Sequence, residues 1–337
     1  MSRASVRSRP VRAAQSAALV LASLAIALGL AEIGARWILP PDQPALIPAE
    51  QQVVQFDAEL GWRNRPGTYR ASFQAGGRSY PVTTTIGPTG ERRHALSPAA
   101  EDAREDVAVV GCSYTFGCGV NDDDVYAARL ARAEPGVNVV NLGTNGYGTY
   151  QALLTLERRY AQRPPPRVVI YGFLAHHAAR NAATARWRAV VSAVQNEGAP
   201  RVPYVTLDAA GQLVRHPPEG LPPMPLCGWS RLCRELRLLS PYHPDPPPPA
   251  REEATRKLIA AMRDWAAARG ARLVVALLES GDVPRYEAFL RGAGIPFVKV
   301  AKGYRFLPFD PIHPTEEFHA DVAARLVTEL RDDGALR

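Results

Sequence analysis

The stretch Val107-Ala-Val-Val-Gly-Cys-Ser-Tyr-Thr-Phe-Gly117 decides the fold prediction. Its β-branched beginning, residues 107–110, predicts a buried strand that ends at Gly111. Ser113 follows two residues later, and an amphipathic segment at 125–133 follows a short loop. A hydroxyl at the carboxyl end of a strand lies where open α/β sheets bind their ligands. The backbone N–H groups after Gly111 are free to point at an anion.

Strand and helix patterns alternate along the rest of the chain. The further predicted strands are 137–141, 168–173, 272–278 and 297–300, and the helices are 149–160, 251–269, 284–293 and 315–330. Five strands separated by helices favour a parallel sheet covered on both faces, that is, a three-layer α/β/α domain. Right-handed crossovers leave few topologies, of which the flavodoxin-like strand order is preferred.

The amino terminus has the pattern of a membrane segment. Residues 1–12 contain four arginines and no acid, and the run from Ala13 to Ala31 is almost wholly apolar. Such a run is near the ~20 residues that cross a bilayer, and the arginines predict a cytoplasmic amino terminus. Two interpretations remain open, an uncleaved signal anchor over 13–36 or a signal peptide cut after Ala31. We favour the anchor, a single pass in the inner membrane. Both interpretations place the body outside the cytoplasm, in the periplasm for the anchored form and secreted for the cleaved form.

The remainder divides by composition. Residues 37–50 are a proline-rich linker, 51–100 a β-rich lead-in with strands near 68–73 and 80–85, and 101–337 the α/β domain. An insertion at about 182–250 interrupts the domain, with a hairpin predicted at 202–207 and 212–216. Residues 244–249 are too rich in proline for regular structure. We interpret the insertion as a partial lid or as a poorly ordered loop.

Charge and cysteine content restrict the partners and cofactors that we expect for this chain. The formal net charge is +7, but no Lys/Arg cluster is interleaved with aromatic residues, so we expect no nucleic-acid partner. Cys227 and Cys233 lie in a proline-rich segment of a chain predicted to be extracytoplasmic, which is consistent with a disulfide. Cys112 is expected to pack as a small buried residue. The spacing of the four cysteines does not match a zinc knuckle, and we expect no metal or other cofactor.

Two later segments complete a candidate hydrolytic site. Asn141-Leu-Gly-Thr-Asn-Gly-Tyr-Gly148 follows the second strand and offers backbone N–H groups without bulky side chains. Asp310-Pro-Ile-His313 precedes the last helix. A serine hydroxyl is a weak nucleophile until a base takes its proton, and the base needs an acid to orient it. Asp310 is placed to reach His313 Nδ1, which leaves Nε2 to face Ser113.

These segments resemble the sequence blocks of the SGNH (GDSL-type) hydrolases. The resemblance covers about 106–331 and implies Ser113 as nucleophile, with Asp310 and His313 completing the triad. It also implies an oxyanion hole formed by the N–H groups of Ser113 and Gly146. The Leu60-Gly61-Trp62 and Gly90-Glu91-Arg92 segments resemble the lead-in of membrane-anchored SGNH-like proteins.

The segment after the third predicted strand departs from the family pattern. His176 stands where the family has an asparagine that donates to the oxyanion, and His177 where an aspartate follows. A neutral imidazole N–H can also donate, so we expect His176 to substitute. Asn145, His177 and Asn181 are candidate supporting residues. A metal site at the His-His pair is disfavoured, because adjacent residues seldom face one ion.

The sequence therefore predicts a membrane-anchored serine esterase at the cell envelope, acting on an ester-bearing small molecule or an acylated glycan. Two alternatives stay open. One is an O-acyl (acetyl) transferase that uses the same triad on envelope polysaccharide. The other is a catalytically weak envelope-binding module, for which the histidine at position 176 is the main argument.

Overall fold

The computed structural model describes residues 8–38, 53–97, 105–194, 201–219, 225–238, 245–279, 283–332 and 334. These residues divide into two compact units. One holds the amino-terminal helix and residues 225–238, and the other holds the remainder. Residues 1–7 of the predicted basic tail and most of the predicted 37–50 linker lie outside the described residues.

Helices and strands are numbered separately, each in chain order. The helices are α1 (Ser8–Ile38), α2 (Ser113–Phe116), α3 (Tyr126–Ala133), α4 (Thr149–Arg159), α5 (His177–Asn181), α6 (Ala185–Val194), α7 (Arg231–Leu238), α8 (Pro248–Ala267), α9 (Pro284–Gly292) and α10 (Glu316–Asp332). The strands are β1 (Val54–Asp57), β2 (Gly61–Asn64), β3 (Gly67–Ala75), β4 (Arg78–Ile86), β5 (Val107–Gly111), β6 (Val139–Asn141), β7 (Val168–Phe173), β8 (Val202–Leu207), β9 (Leu213–Glu219), β10 (Arg272–Leu277), β11 (Phe297–Lys299), β12 (Phe306–Leu307) and β13 (Asp310–Pro314).

The central sheet confirms the predicted fold. Its five strands lie in the order β11-β10-β7-β5-β6, and every neighbouring pair is parallel. This is the flavodoxin-like order. The chain adds β6 on one side of β5 and the later strands on its other side, so the order of strand addition reverses between β5 and β7. The carboxyl ends of β5, β6 and β7 therefore meet at one edge, and the segments that carry Ser113, Gly146 and His176 leave the sheet there.

Both faces of the sheet are buried, as the apolar runs of its strands require. On one face, side chains such as Val110, Tyr171 and Leu273 pack against the helices α4, α8 and α9. On the other face, Val109 and Ile170 pack against α3 and α10. The sheet is thus a rigid platform between two helical layers, and it positions the loops at its carboxyl edge.

The lead-in forms two hairpins, β1–β2 and β3–β4, as antiparallel pairs. A short backbone connection joins the second hairpin to the central sheet, because the Arg92 N–H donates to the Asn141 carbonyl at 2.8 Å. Residues of the lead-in therefore reach the edge of the sheet next to the glycine-rich loop after β6.

The insertion contains regular structure along much of its length. The predicted hairpin is present as β8 and β9, and α6 precedes it. The expectation that residues 244–249 lack regular structure is wrong at its end, because α8 begins at Pro248. Proline is tolerated in the first turn of a helix, where its missing N–H would have no intrahelical partner.

The smaller unit contains the one helix in the described residues that is long and apolar enough to cross a membrane. Its apolar part, Ala13–Ile38, has a mean hydropathy of 2.1 and is not buried by other parts of the chain. The same unit contains the disulfide between Cys227 and Cys233, which confirms the pairing that the sequence suggested.

Candidate active site

Ser113 begins the short helix α2 immediately after β5. Gly111 has φ +154°, and a Cβ there would lie 2.3 Å from Thr115 Oγ1 and 2.8 Å from the Gly172 carbonyl oxygen. Only glycine leaves room for the turn that brings the chain from strand to helix. Ser113 is 8% exposed, and its carbonyl accepts hydrogen bonds from the N–H groups of Gly117 and Cys118, at 2.8 and 3.0 Å. The turn that carries Ser113 is therefore closely fixed.

Arg92, from the lead-in, holds the end of this turn. Its guanidinium is almost fully buried, donates to the carbonyls of Phe116, Gly117 and Val120, and pairs with Asp122 at 3.1 Å. The Gly-x-Arg motif singled out in the sequence thus has a structural explanation. It supplies the cation that satisfies the carbonyl groups at the end of the turn that carries Ser113.

Replacing Arg92 with methionine is expected to lower the free energy of unfolding by about 3 kcal/mol, because three buried carbonyls lose their donor and Asp122 loses its counter-ion. Denaturant unfolding of the full chain in detergent measures this. The matched control is Arg325→Met, which removes an exposed ion pair with Asp321 and should cost no more than about 1 kcal/mol. Equal effects of the two substitutions would contradict this role for Arg92.

Asp310 and His313 lie together on β13. His313 Nδ1 and Asp310 Oδ2 are 2.6 Å apart, and the Ile312 N–H donates to Asp310 Oδ1 at 2.9 Å. Tyr114, the residue after Ser113, donates its hydroxyl to the Ile312 carbonyl at 2.8 Å. This bond ties the histidine strand to α2.

The charges around His313 favour its protonated form. Burial alone would favour the neutral ring, but the Cys118 sulfur and the Asp310 carboxylate outweigh it and raise the pKa of His313 to about 10. Burial likewise opposes the charge on Asp310, yet the hydrogen bond from His313 keeps the pKa of that carboxyl below its usual range.

Cys118 is a neighbour of His313 that the sequence alone did not reveal. Its sulfur lies within 4.8 Å of an imidazole nitrogen of His313 and of a carboxylate oxygen of Asp310. In the described part of the chain, no hydrogen bond joins the Ser113 hydroxyl to His313. One feature of the sequence could have indicated the position of Cys118, namely its spacing from the start of α2. A four-residue helix closed by Gly117 returns position 118 to the side of α2 that faces β13.

The glycine-rich loop after β6 is tied to the carboxyl end of β5. The Thr144 N–H donates to the Gly111 carbonyl at 3.0 Å, and Trp62 Nε1 donates to the Asn145 carbonyl at 2.8 Å. Gly146 has φ +82°, and a Cβ there would lie 3.3 Å from the Trp62 ring and 3.4 Å from the Trp187 ring. The Leu-Gly-Trp segment and α6 of the insertion therefore form walls around Gly146.

His176 and His177 have different environments. The side chain of His176, at the start of α5, is accessible to solvent. Many protein atoms nevertheless surround its ring. That desolvation, together with the Arg180 guanidinium, lowers the pKa of His176, so the ring is neutral at pH 7. His177 is fully buried, and its Nδ1 lies 2.8 Å from the Tyr171 hydroxyl. His176 is thus accessible as a donor, whereas His177 supports the turn.

Asn181 is buried and engaged in the scaffold. Its Oδ1 accepts from the Tyr150 N–H at 3.0 Å, and its Nδ2 donates to the hydroxyls of Thr149 and Thr255 at 3.0 and 2.9 Å. These bonds join α5 to the start of α4 and to α8. Its contacts are those of a residue that supports the segment after β7.

His319, which the sequence did not place in the site, is fully buried in α10. The Tyr126 N–H donates to its Nδ1 at 3.4 Å, and its ring stacks on Tyr126. Desolvation lowers the pKa of His319 to about 3, so it packs as a neutral ring.

Comparison with known proteins gives one family. The model of the GDSL-like lipase/acylhydrolase family matches residues 109–320. Similar solved structures include a GDSL-like lipase from Bacteroides thetaiotaomicron, with 13% identity, a TM-score of 0.38 and coverage of 70% of this chain and 93% of that one. An aryl esterase from M. smegmatis has 13% identity, a TM-score of 0.38 and coverage of 68% of this chain and 99% of that one. An acetyl xylan esterase from Butyrivibrio proteoclasticus has 14% identity, a TM-score of 0.36 and coverage of 74% of this chain and 68% of that one. No curated protein matches the chain.

Proposed function

The chain belongs to the GDSL-like lipase/acylhydrolase family and is a hydrolase acting on ester bonds, and from that premise we propose that it is a serine esterase with the triad Ser113, His313 and Asp310. The observation that carries the proposal is the 2.6 Å Asp310–His313 pair, which the Tyr114 hydroxyl ties to the helix that begins with Ser113. The same arrangement of a nucleophile, a base and an orienting acid activates hydroxyl groups in other folds.

The proposed reaction assigns one role to each of these residues. Ser113 Oγ attacks the carbonyl carbon of the ester while His313 accepts the hydroxyl proton, and Asp310 stabilises the resulting imidazolium. The carbonyl oxygen becomes an oxyanion, which receives hydrogen bonds from the N–H groups of Ser113 and Gly146 and from the His176 ring. His313 then gives its proton to the leaving alcohol. Water, activated in the same way, releases the acid and restores Ser113.

His176→Ala is expected to lower kcat by about 10²–10³-fold with a small effect on KM, because the lost hydrogen bond forms in the transition state. Steady-state hydrolysis of an aryl ester measures both constants. The matched control is His216→Ala, which removes a ring stacked on Tyr204 in the β8–β9 hairpin and should leave kcat unchanged. Wild-type kcat in the His176 variant would remove this residue from the oxyanion hole.

The location we propose is the outer face of the inner membrane. The apolar part of α1 is long enough to span a bilayer, and the arginines before it favour a cytoplasmic amino terminus. The catalytic body then lies in the periplasm and acts on an ester-bearing small molecule or an acylated glycan.

The test of function measures whether the acyl group is released as free acid or transferred to an oligosaccharide acceptor. The full chain in detergent is given a short-chain aryl ester or an acetylated glycan, with and without an oligosaccharide acceptor. The esterase proposal expects release of free acid at a rate independent of the acceptor. Acyl transfer that outruns hydrolysis would favour the O-acyl transferase instead. Absence of both reactions would support the envelope-binding module.

A further inference from the structure

Three potential metal ligands meet beside α2. Cys118 Sγ, one nitrogen of His313 and one carboxylate oxygen of Asp310 all lie within 4.8 Å of one another, and all three residues are partly exposed. The cysteine comes from the turn after α2 and the other two from β13, so the group joins two segments that Tyr114 already links. Solvent can reach it.

This donor set suits zinc. Zn²⁺ binds thiolate sulfur, imidazole nitrogen and carboxylate oxygen at roughly 2.0–2.3 Å, with three protein ligands and a water completing a tetrahedron. We propose that Cys118, His313 and Asp310 form a reversible zinc site that inhibits the enzyme. Binding releases the thiol proton of Cys118 and, because the His313 ring is protonated at neutral pH, one ring proton of His313 to solvent, and it forms a Zn–S and a Zn–N bond in their place. The ring then no longer accepts a proton from Ser113.

A second group, Cys112 with His176 and His177, has similar donor spacing but a different environment. Cys112 and His177 are fully buried, and His177 Nδ1 is already paired with Tyr171. The Arg180 guanidinium also lies close to the Cys112 side chain. A divalent cation there would face the positive charge of Arg180 at close range. Cys112 is therefore the matched control for Cys118.

The experiment measures binding separately from activity. The full chain in detergent is titrated with Zn²⁺ by calorimetry, and with Co²⁺ to observe the absorption that a cobalt–thiolate bond produces. We expect one site in the wild type, retained in Cys112→Ser and weakened by at least about tenfold in Cys118→Ser. Zinc should inhibit ester hydrolysis over the same concentrations. Each variant is compared with its own zinc-free rate.

The outcomes separate this inference from the proposed function, on which only the inhibition depends. Cys118-dependent binding without any esterase activity would retain the site and remove the function. Esterase activity that zinc does not inhibit, or zinc binding that Cys112→Ser loses and Cys118→Ser keeps, would overturn the inference.

A second inference concerns the smaller unit and uses different residues. The Glu32 carboxylate, near the end of α1, accepts hydrogen bonds from Ser230 Oγ at 2.8 Å, Arg231 N–H at 2.8 Å and Leu232 N–H at 2.9 Å. Arg36 donates to the Trp229 carbonyl at 2.7 Å. The end of the apolar helix therefore caps α7, and the disulfide between Cys227 and Cys233 closes the turn that leads into it.

The surface of this unit exposes large apolar side chains. Trp229 is 65% exposed and Trp37 88%, and Leu226, Leu236 and Ile38 are also exposed. Tryptophan is enriched where membrane meets water, because its ring is apolar and its N–H is polar. The group continues directly from a helix with the length and hydropathy of a membrane span. We infer that residues 225–238 lie in the outer interface of the bilayer, against lipid. This rests on the proposed membrane location.

Tryptophan fluorescence tests this placement. The full chain is reconstituted in vesicles whose lipids carry bromine atoms near the headgroup, which quench nearby indoles. Trp62, Trp187 and Trp265 belong to the other unit and supply a constant background. We expect quenching in Trp37→Phe, where Trp229 remains, and a further loss of quenching when Trp229→Phe is added. An unquenched Trp37→Phe protein would place residues 225–238 away from lipid.

Discussion

Ser113→Ala is expected to lower kcat for ester hydrolysis by at least about 10⁴-fold while leaving the fold intact, because the variant has no nucleophile to form the acyl-enzyme. The backbone conformation of the turn depends on Gly111 and Gly117 and not on the Ser113 hydroxyl. The thermal unfolding temperature of the variant should therefore be nearly unchanged. Initial rates on an aryl ester, measured with the full chain in detergent, give the comparison.

Two further variants make this result specific. Ser72→Ala removes an exposed hydroxyl on β3, 2.6 Å from Ser79 Oγ, and should keep the wild-type rate. Cys118→Ala tests the other nucleophilic side chain near His313. If Ser113→Ala keeps the wild-type rate and Cys118→Ala loses it, the attacking atom is sulfur and the proposed triad is wrong.

The pH dependence of kcat/KM is the second large effect. Only the neutral ring of His313 accepts the Ser113 proton, and its pKa is raised to about 10. Activity should therefore rise about tenfold per pH unit through neutrality and level off near pH 10, a total rise of about 10³-fold from pH 7. A profile that is flat from pH 6 to 9 would contradict His313 as the base.

Cys118→Ser provides the matched variant for that profile. The sulfur is one of the two groups that raise the pKa of His313, and a serine hydroxyl is neutral over this range. The rise should level off at a lower pH in this variant, while Cys112→Ser keeps the wild-type profile. Levelling at the same pH in both variants would show that the sulfur of Cys118 does not act on the base.

The central sheet was predictable because its signals are local. Each of the five strands is a short apolar run bounded by polar or glycine residues, and the helices between them are amphipathic. The strand order then follows from the handedness of the crossovers. Asp310 and His313 were predictable for the same reason. They lie only three positions apart, so one short segment brings the carboxylate to the ring.

Other features depend on contacts between distant segments. The turn after α2 indicates the side on which Cys118 lies, but it does not indicate that β13, almost 200 residues later, places His313 beside it. The burial of Arg92 also depends on carbonyl groups that α2 presents only after folding. The start of α8 was missed because the run of prolines was interpreted without regard to where in a helix those prolines would lie. Two of those prolines occupy a first helical turn, where the rule against proline does not apply.

The central claim is that Ser113 attacks the substrate with the help of His313. The most direct measurement is covalent labelling with a fluorophosphonate, followed by mass spectrometry of the modified peptide. We predict one adduct on Ser113 in the wild type, no adduct in Ser113→Ala, and much slower labelling in His313→Ala. An adduct on another residue, or undiminished labelling of Ser113→Ala, would contradict the claim.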